Sequence, residues 1–251
     1  MIELKNLTKK FGKNTVVDDI NLTIPSGKIY GFLGPNGAGK STTINMITNA
    51  LSITSGSILI NGIDVEKYPY ESKKQFAYVS DTPTAYDKMS GIQFLNFIAD
   101  VYEIDENKRV ENIKKYSEIF EMTDSLGSEI SSYSHGMQQK IIIISALITE
   151  PEVFILDEPM VGLDAKSSFR LKEIMREMAD NDKTVFFSTH VMEVAENICD
   201  EIAIINKGRL VVSGTFDSIK QKMGEDGSLE KIFLESVSYT HLRAHETLRY
   251  L

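Results

Sequence analysis

Cysteine is nearly absent: Cys199 stands alone among 251 residues. A single thiol can close no internal disulfide and complete no multi-cysteine zinc site, which suits a reducing compartment. Long apolar runs are absent as well. The greasiest stretch, Ile141-Ile142-Ile143-Ile144, lies between Lys140 and Thr149, far short of the roughly 20 residues a bilayer span needs. Met1-Ile2-Glu3-Leu4 has neither the basic start nor the apolar stretch of a secretory leader, so the expectation is a cytoplasmic protein that crosses no membrane by itself. Positive charge is in deficit, with 27 Lys and Arg against 36 Asp and Glu and a net charge of −9. That field repels polyanions, so no nucleic-acid partner is expected and any phosphate has to be gripped by a local device. No internal repeat is visible.

What is present is ordinary globular material. A composition of 42% hydrophobic and 25% charged residues excludes global disorder and fibrous repeats. The length suits one domain with a sizeable core and room for a small subdomain. Short bursts of alternating apolar and polar residues at 2–7, 15–24, 29–33 and 57–60, separated by Gly12, Pro25-Ser26-Gly27 and Asn61-Gly62, predict strands. From 91 to about 120 the spacing turns helical, with Phe94, Leu95, Ile98, Val101 and Tyr102 on one face and Val110, Ile113, Tyr116, Ile119 and Phe120 on another. An apolar helix near 136–148, a strand at 153–156, a polar helix near 165–179 and a strand at 184–188 follow. Strands joined by helices imply a largely parallel sheet with crossovers.

The segment Gly34-Pro35-Asn36-Gly37-Ala38-Gly39-Lys40-Ser41-Thr42 leaves the strand at 29–33 and opens a helix, which is the context a phosphate loop requires. Its glycines let several main-chain N–H groups converge on one anion, and the helix start adds partial positive charge. Lys40 supplies a full charge for the β- and γ-phosphates, the Ser41 hydroxyl is a hard ligand for Mg²⁺, and Thr42 adds a hydroxyl near the α-phosphate. Downstream, the apolar strand Val153-Phe154-Ile155-Leu156 ends in Asp157-Glu158. If that strand lies beside the first, Asp157 reaches the Mg²⁺ at Ser41, usually through water, and Glu158 faces the γ-phosphate, where a carboxylate can deprotonate attacking water. Together these motifs predict a nucleoside triphosphate and Mg²⁺ as the bound species; the resemblance below makes the nucleotide ATP.

Ser132-Tyr133-Ser134-His135-Gly136-Met137-Gln138-Gln139 precedes the apolar helix. Taken with the phosphate loop, Asp157-Glu158 and His190, it resembles the signature of the ATP-binding cassette (ABC) family, usually Leu-Ser-Gly-Gly-Gln. Ser134 and Gly136 match; Tyr133, His135 and Met137 depart, in a manner similar to the Tyr-Ser-x-Gly-Met variant of multidrug, bacitracin-type and sodium exporters. The resemblance covers about residues 1–235. It implies an α/β fold: a P-loop NTPase core with a parallel sheet flanked by helices, an antiparallel β subdomain, and a helical subdomain near 83–145. It further implies a head-to-tail dimer, of two copies or with a second ATPase subunit. In that dimer Ser134, His135 and Gly136 of one chain close over ATP on the other.

By the same resemblance His190, at the end of a strand, is the switch histidine that holds water with Glu158, and Asp164 in Val161-Gly162-Leu163-Asp164 is a dimer contact. Asp164 also reads as the N-cap of the next helix. Phe11 stands where the family stacks an aromatic on adenine, with burial in the core as the other reading. Asp81 occupies a position where many members carry a Gln near Mg²⁺, and it equally suits a plain Asx-turn. The function implied is ATP hydrolysis driving transport, in the export direction, through a separate integral-membrane permease that holds the chain at the inner face of the membrane. The alternative from another class is a soluble regulatory ATPase resembling a translation factor, which usually carries two cassettes on one chain. A nucleotide kinase would leave the signature and His190 without a purpose. Residues 237–251, with two of the four histidines, read as translated sequencing-adapter DNA that interrupts the natural sequence near Ser236; a short C-terminal helix is the other reading, and no function is assigned there.

Overall fold

The structure, a computed structural model, describes residues 1–82 and 86–223; the readings made for the 237–251 tail lie outside them. Strand β1 (Ile2–Phe11) turns back into β2 (Asn14–Ile24), pairing Ile2 with Ile24. The chain continues through β3 (Lys28–Leu33), α1 (Lys40–Ile47), β4 (Ser55–Ile60), β5 (Ile63–Asp64), α2 (Pro69–Lys73) and β6 (Phe76–Val79). Three helices follow, α3 (Gly91–Val101), α4 (Glu106–Ile119) and α5 (His135–Leu147). The remainder is β7 (Val153–Asp157), α6 (Ala165–Asp180), β8 (Thr184–Thr189), α7 (Met192–Ile198), β9 (Glu201–Asn206), β10 (Arg209–Gly214) and α8 (Phe216–Met223).

Among the described residues the strands form two sheets. The order β2-β1-β4-β5 is antiparallel, whereas β9-β3-β8-β7-β6 run parallel with β10 antiparallel at the edge. Both faces of the parallel sheet are covered, which is why its strands read as continuous apolar runs. In β7 every residue is buried. Phe154 and Leu156 point into the core shared with α3, α5 and α6, while Val153 and Ile155 point into the core shared with α1 and the antiparallel sheet, the alternation a strand imposes. Each such side chain stabilises the fold by about 1.5–3 kcal/mol.

Helix starts follow local chemistry. Ser90 and Gln93 form a reciprocal capping box on α3, and Asp105 accepts from Asn107 N to start α4. One expectation needed revision. Strand β1 runs on to Phe11 instead of stopping at residue 7, because irregular steps in its pairing with β2 let the ladder continue past Leu7. The helical spacing read for 91–120 corresponds to α3 and α4, and on the faces read there Val101, Tyr102 and Val110 stand 59%, 40% and 64% exposed. Val101 and Val110 flank the α3–α4 corner, where Glu103 takes a left-handed φ of 54°.

Because β3, β7 and β8 are adjacent and parallel, with Leu33 opposite Thr189 and Asp157 opposite Ser188, the loops leaving their carboxyl ends emerge side by side. In an open α/β sheet that edge is where ligands bind.

Candidate functional site

Between β3 and α1 the main chain curls tightly, and the curl depends on glycine at two points. At Gly34 a Cβ would lie 2.5 Å from the Ile205 carbonyl oxygen, and Gly39 takes φ 107°, a region closed to most side chains. The first helical bond of α1 begins at Thr43 N, to Gly39 O at 2.9 Å, so the amides of residues 40–42 point off the helix end without a helical partner. Residues 35–37 and 39–42 line a cavity of about 300 Å³ with Val16, Asp81 and Glu158. Ala38 is buried behind them. The Lys40 ammonium, nearly enclosed, donates to Gly34 O at 2.8 Å and lies 3.5 Å from Glu158 Oε1.

Asp157 closes β7 at 1% exposure. Its Oδ1 accepts a hydrogen bond from the Ser188 hydroxyl, while Oδ2 is enclosed without a partner. Burial pushes this carboxyl above the usual range; Ser188 and Ser41 hydroxyls facing it pull the other way, and Asp81 and Glu158 add repulsion. A buried, unpartnered carboxylate oxygen next to a serine hydroxyl fits a hard divalent cation. Among the described residues no group of three His, Cys, Asp or Glu side chains could hold a metal ion by itself. One residue on, Glu158 takes a left-handed φ of 48°, costly for a non-glycine residue. Its Oε1 lies 3.0 Å from His190 Nδ1, which donates to it in the Nδ1–H tautomer, and His190 stands exposed at the end of β8. Lys40, Glu158 and His190 thus form one chain of contacts, of which Lys40 and Glu158 line the cavity and His190 does not.

The ABC transporter family model matches residues 17–161 of this chain. The chain belongs to the ABC transporter family. It is similar to the ABC transporter ATP-binding protein NatA of Bacillus subtilis (strain 168), with 33% identity over 243 residues that cover 94% of this chain and 98% of that protein. A solved structure of the ATP binding subunit of an ABC transporter superposes with a TM-score of 0.91 at 32% identity, covering 94% of this chain and 99% of that one. A dimeric ATP-binding cassette in a post-hydrolysis state, bound to ADP and Pi, shares the fold at a TM-score of 0.78 and 22% identity, covering 86% and 98%. The fold is that of a P-loop NTPase, and the chain is an ATP-binding, ATP-hydrolysing subunit of an ABC transporter. The translation-factor-like alternative finds no support.

In this ABC subunit the signature residues do not line the cavity of their own chain. Ser134 caps α5, accepting from Met137 N at 3.3 Å, and Ser134 and His135 are exposed. Gly136 packs so closely that a Cβ would come within 2.8 Å of Gly162 O, and the His135 ring lies over Gly162 in turn. Asp164 caps α6, accepting from Ser167 N at 2.8 Å, and pairs with the Lys140 ammonium of α5 at 2.8 Å. Neither Lys140 nor Ser188 was singled out from the sequence; a lone serine inside an all-buried strand was the available signal for the second. Phe11 is 49% exposed with Lys9 Nζ 5.0 Å above its ring. That overturns the core-burial reading, although Phe11 does not line the phosphate-loop cavity. Asp81 does line it.

The Lys140 ammonium first, then the Ser167 amide, holds the Asp164 carboxyl well below the usual carboxylate range. A depressed folded-state pKa stabilises above the unfolded value, about 3.9, and the contribution fades as pH falls through the folded one. Asp164→Ala should therefore cost about 1–2 kcal/mol near neutrality, mainly as a lost cap, with the difference from wild type shrinking below pH 4. Urea titrations at pH 7 and pH 3 check this; an equal loss at both values would contradict it.

Proposed function

We propose that this chain powers export through a separate integral-membrane permease, working as a dimer of two copies or with a second ATPase subunit at the cytoplasmic face of the membrane. The observation that carries the site assignment is the shared oxygen: Glu158 Oε1 meets both Lys40 and His190 directly above the phosphate loop. The export direction rests on the Tyr133-Ser134-His135-Gly136-Met137 variant. We divide the chain as one nucleotide-binding domain over 1–235 with its helical part near 83–145.

The main-chain amides of residues 36, 37 and 39–42 and the Lys40 ammonium take the triphosphate of ATP. Phosphate oxygens compete with Gly34 O and Glu158 for that ammonium, and Glu158 is released to draw a proton from water while His190 steadies its carboxylate. Ser41 and Asp157, with Asp81 near, would hold Mg²⁺; when bound it neutralises charge developing on the phosphates. Phe11 offers an exposed ring for the adenine. Ser134, His135 and Gly136 complete the site from the opposite chain, where the Ser134 hydroxyl and the start of α5 favour the γ-phosphate over its absence. ATP thereby favours the closed dimer and ADP does so less, with Asp164 and its loop at the seam. No described helix is long and apolar enough to cross a membrane, so force has to reach a partner that does.

Lys40→Ala tests the cradle. Removing a charged hydrogen-bond donor costs about 1.5–3 kcal/mol, so ATP affinity by calorimetry should weaken about 10- to 100-fold. Unchanged affinity would exclude the cradle.

A further inference from the structure

Ser188 sits on β8 at 0% exposure, directly opposite Asp157 in the parallel β7–β8 ladder. Its hydroxyl makes two contacts of opposite sense. The O–H donates to Asp157 Oδ1, and the same oxygen accepts the Glu158 N–H at 3.1 Å. A hydroxyl has one proton and two lone pairs, so both bonds can exist at once. The first bond sets the Asp157 carboxyl rotamer, occupying Oδ1 and leaving Oδ2 as the oxygen without a partner. The second satisfies the amide at the point where the backbone leaves the strand and enters the left-handed conformation of Glu158, φ 48°. That conformation swings the Glu158 side chain toward Lys40 and His190.

We propose that Ser188 is a positioning residue that orients both carboxylates of the hydrolytic site, Asp157 through its side chain and Glu158 through its main chain. The role rests on the reading of Asp157 as the residue that holds the divalent cation and of Glu158 as the base. Outer partners that orient a metal-holding carboxylate typically affect metal affinity or activity by about 10- to 100-fold when removed. An alanine or valine at this position would pack on β8 but supply neither bond.

The test compares Ser188→Ala, Ser188→Thr and wild type in the full chain. The readouts are Mn²⁺ affinity in the presence of a non-hydrolysable ATP analogue, from the electron-spin-resonance signal of free Mn²⁺, and analogue affinity in EDTA. Ser188→Ala should weaken Mn²⁺ binding at least about tenfold, while analogue binding without metal stays within about twofold. Turnover should fall through kcat more than through KM for ATP. Ser188→Thr, which keeps the hydroxyl, should recover Mn²⁺ affinity to within a few-fold. If Ser188→Ala does not fold, Ser188→Cys, close in size but a weak donor, should show the same direction of loss. Unchanged Mn²⁺ affinity in Ser188→Ala, or an equal loss in the alanine and threonine variants, would assign the serine to packing and overturn the proposal. Asp157→Asn separates the two layers. If it loses Mn²⁺ affinity and Ser188→Ala does not, only the serine's role falls; if it too is unmoved, the metal assignment falls and the serine's role falls with it.

Discussion

Glu158→Gln is expected to slow steady-state ATP hydrolysis by about 10²- to 10⁴-fold, the range a positioned general base contributes, while ATP binding persists. The amide keeps the length of the side chain and can still accept from His190, but it cannot take a proton from water. It also withdraws the negative charge that lies 3.5 Å from Lys40, so the ammonium is freer to serve the phosphates and ATP affinity should be equal or higher. The backbone strain at φ 48° is the same for either side chain, so folding should not confound the result. ATP-loaded Glu158→Gln should then accumulate as a closed dimer, visible by size-exclusion chromatography with light scattering. Single-turnover hydrolysis within threefold of wild type would remove Glu158 from the base role.

Asp157→Asn is expected to act in opposite directions on stability and on turnover. In the nucleotide-free chain Asp157 is a buried carboxyl whose Oδ2 has no partner. A neutral amide keeps the acceptor for the Ser188 hydroxyl and turns the other oxygen into a donor facing Ser41. Relieving one buried unsatisfied group is worth about 1–3 kcal/mol; at about 2–4 °C per kcal/mol for a chain of this size the melting temperature should rise by several degrees. The sign follows from burial, which raises the Asp157 pKa in the folded state. A raised carboxyl favours the folded state below the unfolded pKa of about 3.9, and that benefit is lost as pH rises through the folded value. The advantage of asparagine should therefore be largest at pH 7–8 and vanish toward pH 4. Turnover moves the other way, falling about 10²- to 10³-fold because several kcal/mol of charge stabilisation depend on this carboxylate. Melting curves from pH 4 to pH 8, alongside Mg²⁺ titrations of turnover, check both limbs. A lower melting temperature at pH 8 would show that the buried charge is compensated in some other way.

Local chemistry made much of the site readable in advance. The glycines and Lys40 of the phosphate loop act within nine consecutive positions, and an apolar run followed by two acids marks a buried strand and its exposed end. Ser134 and Asp164 cap α5 and α6 because a hydroxyl or carboxyl before an amphipathic run meets the free amides of the first turn. Val101 and Val110 share helix faces with buried residues yet stand exposed, because periodicity reports a helix face and says nothing about how far along the helix the neighbouring layer extends.

From the amino-acid order alone came the α/β architecture, the phosphate loop and the chemistry of each strand end, since all of these depend on residues a few positions apart. Only the folded chain decided that Glu158 shares one oxygen between Lys40 and His190, that Ser188 bridges both acids, and that Lys140 clasps Asp164. Those contacts join residues 24 to 118 positions apart, and they exist because the parallel sheet places β3, β7 and β8 side by side in one register and brings the start of α6 beside α5.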